Sequence, residues 1–192
     1  DVMQIQNMMQ IDNTINVLLD ADFDYNKVHN YLPGLLGWTK YYGVFDGNNH
    51  TISNVRRSDT GYEVITPQNF GTIKNVHVKN ISDKCYGGEH TRQGIVCGDN
   101  YGIVENCSVE SAVIETVAQE ENSIFGKVTE YGALVGGNFG TIRGCFASDI
   151  TFDGEGVTWP LAHEFPYSTI ENTYYEANVE SGDAAKTAEQ FA

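Results

Sequence analysis

Apolar residues recur along this chain in two different periods. Over residues 2–10, Val2, Ile5, Met8 and Met9 share one face at spacings of three and four, which predicts a short amphipathic helix. From Asn13 onward the period falls to two. Ile15, Val17 and Leu19 alternate with other residues, and Ala21 and Phe23 continue the pattern of a first strand. A helix leading straight into a strand suggests an end cap, because the terminal coil of a repeat array would otherwise expose its apolar interior. Residues 24–42 are aromatic and turn-rich (Tyr25, Tyr31, Pro33-Gly34, Gly37-Trp38, Tyr41-Tyr42) and read as an excursion before the first full repeat.

One phrase then recurs. Its fullest form is Gly132-Ala-Leu-Val-Gly-Gly-Asn-Phe-Gly-Thr-Ile142, with a close copy at Gly94–Val104 and shorter ones at Asn69–Val76, Asn48–Val55 and Pro166–Asn172. Aligned on Ile52, Ile73, Val104, Ile142 and Ile170, the copies step by 21, 31, 38 and 28 residues. Four positions before this anchor stand Asn48, Asn69, Asn100 and Asn138, with Pro166 in the last copy. Three before it are Asn49, Phe70, Tyr101, Phe139 and Tyr167. Two before it are His50, Gly71, Gly102, Gly140 and Ser168. Two after it are Asn54, Asn75, Asn106 and Asn172, interrupted by Gly144.

These columns have a physical reading. Alternation after the anchor (Val76 and Val78, Cys107 and Val109, Cys145 and Ala147) puts one face inward and one outward. The recurrent Gly predicts a backbone site of positive φ, where the absence of a Cβ removes the clash. Like residues in successive stacked strands lie about 4.8 Å apart, which lets Asn amides form a ladder and rings stack. Gly every few residues and β-branched residues at the periodic positions argue against helices. An antiparallel sandwich also has short strands bounded by turns, but it does not explain a turn phrase locked in phase with the strand that follows. A parallel β-helix, or β-solenoid, does. The uneven steps predict insertions at 82–93, 115–131 and 153–159, and in repeat proteins insertions commonly gather on one binding face.

Composition narrows the function. The chain of 192 residues has 20 Gly but only 4 Pro, which suits one domain that turns often while still pairing strands. Its formal charge of −15 argues against nucleic acid and anionic membrane as partners, since both call for clustered Lys and Arg. No apolar run reaches the roughly 20 residues that a membrane span needs. Cys85, Cys97, Cys107 and Cys145 lack the CxxC spacing of zinc or thioredoxin-type sites. Cys107 and Cys145 share a column, and their parallel side chains predict two buried thiols rather than a bridge.

The phrase at 132–142 resembles the GLUG motif, named for its Gly-Leu-(Val/Ile)-Gly core. Gly43-Val-Phe-Asp-Gly-Asn-Asn-His-Thr-Ile-Ser-Asn-Val55 looks like the segment that opens such repeat regions. The ending 185–192 is similar to the segment that closes them, here cut short. The resemblance runs from about residue 13 to the end, with departures at Cys97, at Gly144 and in the weak last copy. Such repeats occur in secreted and surface-anchored bacterial proteins, including adhesin-like ones and regions attached to immunoglobulin-A proteases. The resemblance implies an all-β, right-handed parallel β-helix outside the cell or on the bacterial surface, to which the apolar spacing of residues 2–10 adds a short N-terminal capping helix. It also implies one segment of a longer protein. The organisation expected is a single domain over 1–192: cap and first strand at 1–23, repeat coils at 43–179, and a truncated tail at 180–192. The family carries no catalytic residues over.

Candidate chemistry is thin. Parallel β-helices also host polysaccharide lyases and glycosidases, which need two carboxylates converging across a cleft. Asp46, Asp99, Glu105 and Glu171 are the candidates. Asp46 and Asp99 sit beside Gly in turn phrases, where Asp bonds locally, and Glu105 and Glu171 alternate outward into solvent. Asp20, Asp22 and Asp24 have a spacing that calcium loops use, yet the Gly and distant Glu of an EF-hand are missing. His29, His50, His77, His90 and His163 form no metal-binding motif, and no GxSxG is present. Any ligand site therefore falls on the insertions, at Tyr86, His90, Arg92, Phe125 and Tyr131, because aromatic and Arg side chains anchor interfaces. The expectation is a non-catalytic extracellular module, without cofactor or metal, that acts as a spacer or binds a host glycan or protein. The alternatives are a carbohydrate-active enzyme and an accessory domain of a secreted protease.

Overall fold

The computed structural model of the chain describes residues 2–27, 34–37, 40–57, 63–85, 92–116, 130–154 and 156–176. These residues are mostly β, with one α-helix and with every strand pair parallel. The helix forms where apolar periodicity predicts it, at Val2–Ile11, with Met9 buried and Val2 and Ile5 packed against the core. No Gly or Pro interrupts it, and Asp12 closes it. The Asp12 N–H donates to Met8 O, while its carboxylate accepts from the Thr14 N–H and hydroxyl. Gln6 Nε2 donates to Gly34 O at 2.8 Å and ties the helix to the segment 34–37.

Beyond the helix the chain makes successive passes, each adding strands to the same sheets. Lys40–Tyr41, Thr66–Asn69, Cys97–Asn100, Val135–Asn138 and His163–Glu164 form a five-stranded sheet in chain order. Arg92–Gly94, Glu130–Gly132 and Val157–Trp159 form a three-stranded one. The largest sheet contains Val44–Ser53 and Thr72–Cys85. Three later passes each contribute a pair: Ile103–Glu105 and Ser108–Thr116, Thr141–Arg143 and Phe146–Gly154, then Thr169–Glu171 and Tyr174–Glu176.

The register corrects the sequence alignment at its first copy. Ile73, Val104, Ile142 and Ile170 do stand opposite one another, but Ile73 faces Phe45, and Phe45 faces Val17. Ile52 instead faces Val78. The basal step is therefore 28 residues, and steps of 31 and 38 accommodate the two longer insertions. Two consecutive left-handed residues, Asn48 and Asn49, cause the offset. They sit where the register shifts between Asp46 and His50, so this strand is longer than its neighbour over the same span. In-register pairing also reaches back to Val17–Leu18, well before residue 43.

The segment 34–37 is not an excursion either. Leu35 and Leu36 N–H groups donate to Val64 O and Ile65 O, and these residues in turn bond to Ile95 and Val96. The same buried pair thus recurs as Leu35-Leu36, Val64-Ile65, Ile95-Val96 and Ala133-Leu134. Nor is 153–159 an insertion, because it contains the end of Phe146–Gly154 and the whole of Val157–Trp159.

The glycine column has a different cause from the one predicted. Gly71, Gly102 and Gly140 do not have positive φ. They are needed because adjacent passes touch there: a Cβ on Gly102 would overlap Gly71 O, and one on Gly140 would overlap Gly102 O. Positive φ falls on the Asn column instead, at Asn75 (54°), Asn106 (52°), Gly144 (62°) and Asn172 (46°). A second left-handed column holds Asn54, Asn80, Ser111 and Asp149. Each left-handed residue turns the strand, and Asn and Asp adopt that conformation at low cost among residues with a side chain.

Inside, Ile52, Val78, Val109 and Ala147 form one buried column, and Val55, Ile81, Ala112 and Ile150 another. Burial is worth about 1.5–3 kcal/mol for a side chain of Val or Ile size. That gain requires neighbouring passes, since a single pass has nothing to cover its inner face. Cys97, Cys107 and Cys145 are buried free thiols, and Cys107 N–H donates to Cys145 Sγ at 3.4 Å. Burial pushes the Cys97 and Cys107 thiols well above their ordinary pKa, so both stay protonated.

Candidate functional site

Arg92 is the sequence-predicted binding residue that the structure places in a built environment. It opens the strand Arg92–Gly94, and the turn at Ile95-Val96 folds Cys97–Asn100 back beside it. Gly in the phrase makes this close fold possible: a Cβ on Gly94 would overlap Cys97 O. Asp99 consequently reaches Arg92. Arg92 Nε donates to Asp99 Oδ1 at 2.8 Å and Nη2 to Oδ2 at 3.1 Å, a two-pronged pair whose carboxylate is buried. Hydrogen bonding to Asp99 raises the Arg92 pKa further and keeps the guanidinium charged. The pair rests on Gly137, where a Cβ would come 2.6 Å from Arg92 Nε.

Rings flank the guanidinium. Its carbon lies 5.3 Å from the Phe139 centroid and 5.1 Å from that of Phe165, within cation–π range. Phe139 and Phe165 belong to an outer stack, Tyr42, Phe70, Tyr101, Phe139 and Phe165, with successive centroids 4.9, 4.6, 4.7 and 4.0 Å apart. Tyr42 and Phe165 therefore occupy the end positions that the sequence alignment assigned to Asn49 and Tyr167. His163 continues from Phe165 at 4.3 Å, and Trp159 stacks on His163 at 4.7 Å. Glu130 Oε2 meets His163 Nδ1 at 2.6 Å. Neither Glu130 nor Trp159 was singled out from the sequence. Trp159 lies outside the aligned columns, and Glu130 falls within an expected insertion.

The rings of the stack cover one another's faces. A sugar ring binds an aromatic through its face, so an interior ring of such a stack offers only its edge. The Asn ladder is equally committed: Asn69 Nδ2 donates to Asn100 Oδ1 at 2.8 Å, and Asn100 Nδ2 to Asn138 Oδ1 at 2.9 Å. It spans those three residues, without Asn48, which lies in the bulge.

The remaining candidates do not converge. Tyr131 points inward and is buried, with its ring 6.2 Å from that of Phe152, so it belongs to the core. Tyr86, His90 and Phe125 lie outside the described residues, as does the tail at 180–192. Asp46 binds Lys74 Nζ at 3.2 Å and accepts from Asn75. Glu105 is not simply solvated, since Arg143 Nε donates to it at 2.7 Å. Asp22 accepts from Thr51 N–H and faces His50, while Asp24 accepts from Asn54 and Asn26. Among the described residues no group of three His, Cys, Asp or Glu side chains is placed to hold a metal ion. Among them, too, no helix is long and apolar enough to cross a membrane. No family model, curated protein or solved structure matches this chain.

Proposed function

We propose that the chain is a right-handed parallel β-helix of the GLUG-repeat kind, serving as a non-catalytic module of an extracellular bacterial protein. The stacked parallel passes and their 28-residue basal step support the solenoid. Right-handedness is the sense that parallel crossover connections overwhelmingly adopt. The observation that carries the non-catalytic reading is the use of the acids. Asp22, Asp46, Asp99 and Glu105 each bond to a side chain on a neighbouring strand or pass. Acids engaged in this way hold strands and passes together, the structural use that a non-catalytic module makes of them.

A spacer or adhesive role follows, with the exposed parts of Tyr42 and Tyr101 as the aromatic surface available to a host glycan or protein. The test is a polysaccharide panel read both for binding and for release of reducing ends. Binding without release, or neither, fits the proposal. Release of reducing ends that is lost in Asp99→Asn or Glu130→Gln would replace it with a carbohydrate-active enzyme.

A further inference from the structure

The last described pass consists of Val157–Trp159, His163–Glu164, Thr169–Glu171 and Tyr174–Glu176, and each strand has a described neighbour on one side only. Ile170 and Tyr175 continue the columns of Ile142 and Ala147. The latter two are fully buried, whereas Ile170 and Tyr175 are half-buried. Among the described residues, this edge leaves main-chain groups and half-buried apolar side chains of the kind that an added strand would cover.

Charge specifies which strand. In the large sheet, two outward columns run five residues apart. One pass places Lys74 and Lys79 there, and the next places Glu105 and Glu110 directly opposite them. Arg143 then stands opposite Glu105, and Glu171 opposite Arg143. In the second column, Ser148 separates Glu110 from Glu176. Opposite charges, or a neutral residue, thus meet at every step of both columns between Lys74 or Lys79 and the edge. The edge ends on Glu171 and Glu176, which repeat the Glu105 and Glu110 pair at the same spacing. Within the chain that pair meets Lys74 and Lys79 on the preceding pass, the neighbour that answers both charges, and Arg143 and Ser148 on the following one.

We infer that this edge accepts an extended polypeptide segment, in parallel, carrying two basic residues five positions apart, each preceded by an aliphatic residue. The pattern is that of Ile73-Lys74 and Val78-Lys79. The aliphatic residues would cover Ile170 and Tyr175, and the bases would face Glu171 and Glu176. The inference rests on strand register and is independent of where the protein resides.

The probe is a synthetic peptide of residues 72–80, added to the full chain and followed by calorimetry or fluorescence anisotropy. Saturable binding is expected, weakened about tenfold when both peptide lysines are changed to Glu. Glu171→Lys with Glu176→Lys in the protein should weaken binding of the native peptide to a similar extent. These two positions are exposed, so the circular dichroism spectrum and melting temperature should not change. The decisive arm pairs the Lys-substituted protein with the Glu-substituted peptide, where binding should recover. Failure of the full chain to bind the native peptide, indifference to either charge change, or no recovery in the swapped pair would overturn the inference.

Discussion

Asn100 donates from its side-chain amide to Asn138 Oδ1 at 2.9 Å, and both side chains are wholly buried. Asn100 also bonds to Thr141 O, to Gly102 O and N, and to Asn69. Asn100→Ala would leave several of these groups without partners inside the fold. The expected loss is about 3 kcal/mol, read from the shift in urea midpoint at unchanged slope. Asn69→Ala, at the end of the ladder, should cost less.

Two glycines in columns four positions apart should respond differently. Gly102→Ala drives a Cβ into the backbone oxygen of Gly71, which has no room to retreat between stacked passes. It should destabilise by about 3 kcal/mol or prevent folding. Gly144→Asn introduces the residue that fills this left-handed column elsewhere, and the nearest obstacle is the side-chain oxygen of Asn106. Thermal melting should place this variant within about 1 kcal/mol of the parent.

Arg92 is needed for its fork as well as its charge. Arg92→Ala strands a buried Asp99 carboxylate and should cost about 2–4 kcal/mol. Arg92→Lys should recover only part of that loss, since an ammonium cannot make the two-pronged contact. Combining Arg92→Ala with Asp99→Asn should cost less than the sum of the two changes, by about 1 kcal/mol or more in a double-mutant cycle. Simple additivity would show that the pair is not a unit.

Acid should loosen the N-terminal passes first. The Thr51 N–H and His50 hold Asp22 below its ordinary pKa of 3.8, and Asn54 and the Asn26 N–H do the same for Asp24. For Asp46, burial pushes upward, but the Asn48 N–H, Asn75 and Lys74 outweigh it and the pKa is again lowered. A depressed folded-state pKa stabilises the fold above the unfolded value, and that contribution is lost as pH falls through the folded one. The urea midpoint should hold level from about pH 7 to about pH 5 and drop below about pH 4. Asp46→Asn should flatten that drop. Hydrogen exchange in acid should show residues 44–53 opening before 135–138.

What the sequence by itself determined was the repeating demand of each pass. Every pass must turn with a left-handed residue, bury an apolar anchor and fill the same corner, so Asn, Phe or Tyr, and Gly recur in phase and are legible without coordinates. The same pattern made the terminal helix readable, because Val2, Ile5 and Met9 had to share a face. The tertiary structure decided what depends on distance between passes. A left-handed pair at Asn48 and Asn49 lengthened one strand, which moved the anchor from Ile52 to Phe45. The glycines turned out to serve backbone contact between passes, a constraint that local preference cannot reveal. Arg92 meets Asp99 only because a two-residue turn folds one strand back on the next. Lys74 and Glu105 stand opposite for a similar reason: stacking brings residues a full repeat apart to within one strand spacing.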